Sequence, residues 1–264
     1  MNFKNYRLQK LLGNHDYKLA LVPLDHGVTN GPIQGIEQYI NTIVDLFNGG
    51  ADAVILHKGL FRKAVESNLI KSGKLIMHLS ASTSLGSFQK NKILVSNVET
   101  AVKYGADGIS IHINLGGDDE KDMLKDLGYI ADECCKWGMP LLTMMYFSNP
   151  DNENNVTKKR HLVRVAEELG ADIIKIKYLE GLDEVVSSTQ VPLVISGGEK
   201  VDDIKEIIKI VSHARECGAK GFAIGRNIFQ YDDKTKLTQV LCDLLKGNID
   251  YKTAVELMGY EYGK

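Results

Sequence analysis

The 264-residue chain has little that would mark a secreted, membrane-bound or nucleic-acid-binding protein. It has four cysteines, Cys134, Cys135, Cys217 and Cys242, none in a CxxC spacing, and adjacent Cys134 and Cys135 cannot readily bridge to each other. They read as reduced thiols, which points to the cytoplasm. No run approaches the roughly 18 uninterrupted apolar residues of a membrane span. The polar opening, MNFKNYRLQKLLGNHDYKLA, has no apolar run of the signal-peptide kind. Charge of neither sign dominates, because 32 basic and 34 acidic residues leave a net charge of −2. Nothing in that balance suggests a nucleic-acid footprint or a polybasic membrane arm. Low-complexity segments and linkers are also lacking, so residues 1–264 are expected to form one domain.

What is present is a series of eight short apolar runs: LALVPL (19–24), ADAVILH (51–57), KLIMHLS (74–80), ADGISIHI (106–113), PLLTMMY (140–146), ADIIKIKY (171–178), PLVISGG (192–198) and AKGFAIG (219–225). They are near-continuous in Val, Ile and Leu rather than alternating. Strands buried on both faces read this way, as in a parallel sheet covered by helices. Amphipathic stretches lie between them, at 35–50, 159–170 and 201–218. Residues 236–258 read as two further helices. GGAD (49–52), YGAD (104–107), LGAD (169–172) and CGAK (217–220) each put glycine where a helix should stop and a strand begin. Eight β–α units in this length predict an α/β fold, a (β/α)8 TIM barrel of eight parallel strands. A doubly wound open sheet is the alternative, but the Gly-rich first turn it would use is missing.

In such a barrel, chemistry sits at the C-terminal strand ends. Those ends carry Asp25 and His26, His57 and Lys58, His78 and Ser80, His112 and Asn114, Tyr146, Lys175 and Lys177, Ser196 with Gly197 and Gly198, and Gly225 with Arg226 and Asn227. Two lysines within one buried strand are the sharpest signal. An edge strand could carry lysine as a guard against aggregation, but a closed barrel has no edge. Lys175 and Lys177 share a parity, so both point the same way. A poorly solvated site favours a neutral lysine amine, and that amine is a nucleophile toward carbonyls. The second lysine would tune the first or bind an anion.

The loops SGGEK (196–200) and IGRN (224–227) follow the last two strands, where this fold often binds phosphate through backbone N–H groups. Arg226 would add bidentate charge. Asp25 could move protons beside a lysine or form a structural ion pair, and Tyr146 could act as a general acid or pack its ring. His57, His78 and His112, with Asp25, leave a metal-dependent lyase open, although no HxH or HxxxH spacing supports it. Met144 and Met145 read as packing residues. A catalytically silent sugar-phosphate binder is the third reading.

LVPLDHGVTNGP, ILHKG, IHINLG, MPLLTMMY, ADIIKIKY, SGG and IGRNIFQ together resemble the archaeal-type class I aldolases, from about Leu19 to Gln230. That group takes in class I fructose-bisphosphate aldolases and 2-amino-3,7-dideoxy-D-threo-hept-6-ulosonate synthases, the closer-looking branch. The resemblance implies a Schiff base on Lys175, acid–base work by Asp25 and proton transfer by Tyr146. It also implies that Gly197, Gly198, Gly225 and Arg226 hold a substrate phosphate. His26, Lys177 and Ser196 join them as substrate-binding candidates from the same rim. No metal or cofactor is implied. The partners expected are phosphorylated sugars and aldehydes, above all L-aspartate semialdehyde, and the chain is expected to form a homo-oligomer such as a decamer. A related branch condenses dihydroxyacetone phosphate with the same aldehyde. Two loops depart from the synthase pattern: FSNP (147–150) replaces a Pro-Arg-Gly stretch, and Lys177 with LEG replaces a Ser/Thr-rich segment.

Overall fold

The computed structural model describes residues 3–13, 18–70, 72–87 and 89–261. Its strands are β1 (Leu19–Pro23), β2 (Ala53–His57), β3 (Lys74–His78), β4 (Ser80–Ala81), β5 (Ile93–Leu94), β6 (Gly108–Leu115), β7 (Leu141–Phe147), β8 (Ile173–Lys177), β9 (Leu193–Ser196) and β10 (Gly221–Ala223). Eight of them close a barrel in the order β1-β2-β3-β6-β7-β8-β9-β10, every neighbouring pair parallel. Each of the eight apolar runs supplies one barrel strand. The third is shorter than its run: Leu79 N–H still reaches Ser110 O at 2.9 Å, but Ser80 already pairs with Leu94 in the separate β4–β5 hairpin.

Burial on both faces explains the unbroken apolar runs. One face of each strand packs on the helices outside, among them Tyr39–Asn48, Val156–Glu168, Ile204–Glu216, Lys234–Lys246 and Tyr251–Leu257. The other face fills the barrel with Leu19, Leu21, Ile55, Ile76, Leu142, Ile173 and Val194. The helix expected over 35–50 begins only at Tyr39, since residues 35–38 turn, with the Gly35 N–H on the Glu37 carboxylate at 2.7 Å.

Two features of the barrel floor were not expected from the sequence. The helix Phe3–Leu12 inserts Leu8, Leu11 and Leu12 beneath the interior layer. It is tied down by Lys4–Asp172 at 2.9 Å and by Arg7 donating to the Trp137 and Gly138 carbonyls. The GAD turns also do more than stop helices. Gly50, Gly105, Gly170 and Gly218 all have positive φ, as the turns require. The aspartates that follow accept a backbone N–H from the neighbouring strand: Asp52 from Ala20 at 2.8 Å, Asp107 from Leu75 at 3.0 Å, and Asp172 from Leu141 at 2.7 Å. The repeat therefore fixes strand register while it ends each helix. Among the described residues no helix is long and apolar enough to cross a membrane.

Candidate active site

Strand parity places the lysines. Ile173 belongs to the interior layer, so Lys175 and Lys177, two and four residues on, also point inward and rise towards the C-terminal mouth. Lys175 is 7% exposed and stands beside Met144 and Val194 in the barrel register. Its Nζ lies 3.8 Å from the Met144 sulfur. Met144 therefore lines the site, whereas the sequence suggested packing alone. Lys177 is half-buried one step higher, level with Ser196.

The mouth is a cavity of about 360 Å³. Asp25, Tyr146 and Lys175 line it, and so do His26, Lys177, Ser196, Gly197, Gly198, Gly225 and Arg226. Of the other strand-end residues named from the sequence, His57, His78, Ser80 and His112 line the same space and Lys58, Asn114 and Asn227 do not. Asp25 opens the turn after β1, with one carboxylate oxygen 3.4 Å from His26 Nδ1 and the other 3.6 Å from His78 Nε2. The Tyr146 ring stacks on the His112 imidazole with centroids 4.8 Å apart.

Burial and charge divide the titrating groups sharply. Burial alone would push the Asp25 carboxyl up, but His78 and His26 when protonated, together with Lys175, hold it well below the usual carboxylate range. The His78 imidazole is pushed down to about 3, chiefly by burial and against the pull of Asp25. Burial lowers His26 and His57 as well. At neutral pH the rim therefore carries an ionised Asp25 among neutral imidazoles.

Two of the imidazoles have hydrogen-bond partners, while the buried Nδ1 atoms of His26 and His57 have none among the described residues. His78 Nδ1 is 2.8 Å from Ser110 Oγ, and His112 Nε2 is 2.9 Å from Asn114 Oδ1. Among the described residues no three His, Cys, Asp or Glu side chains form a group able to hold a metal ion.

The loops after β9 and β10 form the opposite wall. A Cβ on Gly225 would meet His26 Cε1 at 2.6 Å and Pro23 O at 2.8 Å, so only glycine lets this turn pass so near β1. Gly198 has φ +73°, and a Cβ there would touch nothing within 4 Å, so its backbone faces open space. Arg226 Nη2 donates to Gly198 O at 3.1 Å, while its buried Nε–H has no partner. Asn227 clamps the β9 loop: its Nδ2 donates to Gly197 O and Glu199 O, and its Oδ1 accepts the Val201 N–H. An unpaired guanidinium N–H beside a glycine turn suits an oxyanion.

Sequence reasoning missed Lys92, which reaches the cavity from just before β5, and the buried pair behind Tyr146. There Glu153 accepts the Phe147 N–H at 2.6 Å with one oxygen and is hydrogen-bonded to Lys159 with the other. Lys92 and Glu153 lie outside any periodic apolar segment, and Lys159 opens the amphipathic 159–170 stretch, where a lysine reads as part of the solvated face.

The family model for DeoC/LacD family aldolases matches residues 19–231. The chain is 38% identical over 259 residues to 2-amino-3,7-dideoxy-D-threo-hept-6-ulosonate synthase 1 of Archaeoglobus fulgidus, covering 97% of this chain and 96% of that protein. It is 36% identical over 247 residues to 2-amino-4,5-dihydroxy-6-oxo-7-(phosphonooxy)heptanoate synthase of Streptomyces griseus, covering 92% and 90%. Among solved structures, an archaeal fructose 1,6-bisphosphate aldolase superposes with a TM-score of 0.82 at 28% identity, over 93% of this chain and all of that one. A Schiff-base-forming fructose-1,6-bisphosphate aldolase gives 0.83 at 27% identity, over 92% and 100%.

Proposed function

The chain belongs to the DeoC/LacD family of aldolases, and from that premise we propose that Lys175 forms a Schiff base with a phosphorylated ketose and passes a ketose fragment to L-aspartate semialdehyde. The observation that carries this reading is the setting of Lys175. A lysine on a rigid central strand is almost wholly buried, touches a thioether, and forms no ion pair with a carboxylate among the described residues. Such an amine, fixed on a strand and without a carboxylate partner, is placed to attack a carbonyl. Asp25 and Tyr146 share its cavity as the proton-handling groups, and the Gly198–Arg226 wall suits the phosphate.

The steps follow from those groups. The Lys175 amine attacks the ketone to give a carbinolamine, and Tyr146 and Asp25 move the protons that let water leave. The protonated imine withdraws electrons, so with a ketose donor the Cβ hydroxyl gives up its proton to a basic group of the site, the Cα–Cβ bond breaks, the Cβ fragment leaves as an aldehyde and the electron pair stays as an enamine; with dihydroxyacetone phosphate the same enamine forms by loss of a Cα proton. The enamine carbon then attacks the aldehyde of the acceptor, whose oxygen takes up a proton, and hydrolysis frees Lys175. Phosphate held at the far wall supplies remote binding energy that orients the reacting carbons.

The donor is the open element. The candidates are a phosphorylated deoxy-ketohexose, which the resemblance to the synthases implies, and dihydroxyacetone phosphate, whose three carbons added to the four of L-aspartate semialdehyde make the seven-carbon chain in the name of the Streptomyces griseus relative. Incubating the protein with L-aspartate semialdehyde and each donor, then identifying the product by mass spectrometry, tests the reading. A seven-carbon amino acid from either donor supports it. Cleavage of fructose 1,6-bisphosphate with no use of L-aspartate semialdehyde contradicts it.

A further inference from the structure

The cavity has a second cationic end. Lys92 lines it together with Lys175 and Arg226. In the barrel ring β3 lies four strands from β9, and β6 lies four strands from β10. The β4–β5 hairpin rises from β3 and rests on β6, where Ser80 Oγ accepts the His112 N–H at 2.8 Å and Asn114 Nδ2 donates to Lys90 O at 2.6 Å. Lys92 therefore faces the glycine–arginine wall across the barrel mouth, with Lys175 on β8 between the two.

The hairpin is held rather than loose. Lys92 Nζ donates to Ser82 Oγ at 2.6 Å, and Ser82 Oγ donates to Gln89 O at 2.6 Å. Thr29 Oγ1 donates to Ser82 O at 3.0 Å, and the Ser84 N–H reaches Thr29 O at 2.9 Å. No carboxylate pairs with Lys92 among the described residues. Burial pushes its ammonium below the ordinary lysine range, while Asp25 pulls it back up from a distance. Asp25 itself is engaged by His26 and His78. A half-buried, oriented ammonium whose protein partner is one hydroxyl is set to receive an anion from outside.

We propose that Lys92 is the carboxylate-binding residue for the acceptor half of the substrate, fixing its terminal carboxylate opposite the phosphate wall. The proposal rests on the aldolase reading above. A donor anchored at Arg226 with its ketone on Lys175 projects its growing carbon chain away from β9 and β10. The end of that chain then arrives at the β3–β6 side. The product named for the Streptomyces griseus relative has this polarity, with a phosphate and adjoining ketone at one end and a carboxylate at the other. A carboxylate suits Lys92 better than a second phosphate does. One ammonium with one hydroxyl matches a single charge, whereas the phosphate wall offers a guanidinium and open glycine backbone.

The test compares acceptors in the wild type, Lys92→Met and Lys92→Arg. L-Aspartate semialdehyde is set against butanal, which has the same chain length without the charged groups. In Lys92→Met the KM for L-aspartate semialdehyde should rise by about tenfold or more while the constants for butanal hold, and Lys92→Arg should restore most of the loss. Borohydride trapping of dihydroxyacetone phosphate on Lys175 should be unaffected. An equal change for both aldehydes, or none, overturns the assignment. A raised KM for fructose 1,6-bisphosphate without loss of discrimination between the two aldehydes makes the subsite a phosphate site and overturns the carboxylate. Failure of the wild type itself to form a Lys175 adduct overturns the underlying aldolase reading, a result distinct from lost discrimination with the adduct intact.

Discussion

The sulfur of Met144 lies 3.8 Å from the Lys175 Nζ, so the buried amine meets a soft, uncharged neighbour across the β7–β8 pair. A carboxylate in that position would stabilise the ammonium and remove the nucleophile. Met144→Glu should therefore cut kcat by about 100-fold or more while the protein stays folded. Met144→Leu should stay within about tenfold of wild type, since it keeps volume and neutrality. Steady-state rates, with circular dichroism as the check on folding, decide it.

Tyr146 and the phosphate wall should separate kinetically. Tyr146→Phe removes the phenol but keeps the ring stacked on His112, so kcat should fall by about 10²–10⁴ with KM nearly constant. Arg226→Met should act the other way, raising KM for a phosphorylated ketose by about tenfold or more. If both variants change only KM, Tyr146 does not transfer the proton.

The pair behind Tyr146 predicts a stability effect. Lys159 is fully buried and Glu153 nearly so. Glu153→Gln keeps the hydrogen bond to Phe147 but leaves an uncompensated ammonium. It should cost about 3–5 kcal/mol in urea unfolding. A loss under about 1 kcal/mol would mean the ammonium finds water.

The rim also predicts acid sensitivity. The unfolded His78 imidazole binds its proton near 6.5 and the buried one near 3. Between those values the unfolded chain holds the extra proton, so stability falls as the pH drops from about 6.5 towards 3, by up to about 1.4 kcal/mol per pH unit. Above 6.5 this group contributes no pH dependence. His78→Gln should flatten the Tm–pH curve between pH 6.5 and 4, and an unchanged slope there would contradict it.

The barrel was legible because parallel strands buried on both faces leave runs such as ADAVILH and ADIIKIKY, and because glycine marks four of the helix-to-strand turns. The rim was legible because strand ends name the residues at the mouth, and parity turns Lys175 and Lys177 inward together. Other features were hidden for physical reasons. Asp52, Asp107 and Asp172 looked like turn residues, but their acceptor role joins them to backbone 31–32 residues earlier. Leu8, Leu11 and Leu12 face the barrel floor, a surface that exists only after closure. Lys92 precedes a two-residue strand, too short to show any period.

The most direct test of the central claim is to map the borohydride-stabilised adduct formed with dihydroxyacetone phosphate by peptide mass spectrometry. The account predicts one adduct, on Lys175, lost in Lys175→Met and retained in Lys177→Met. An adduct on Lys177, or one that survives Lys175→Met, would contradict it.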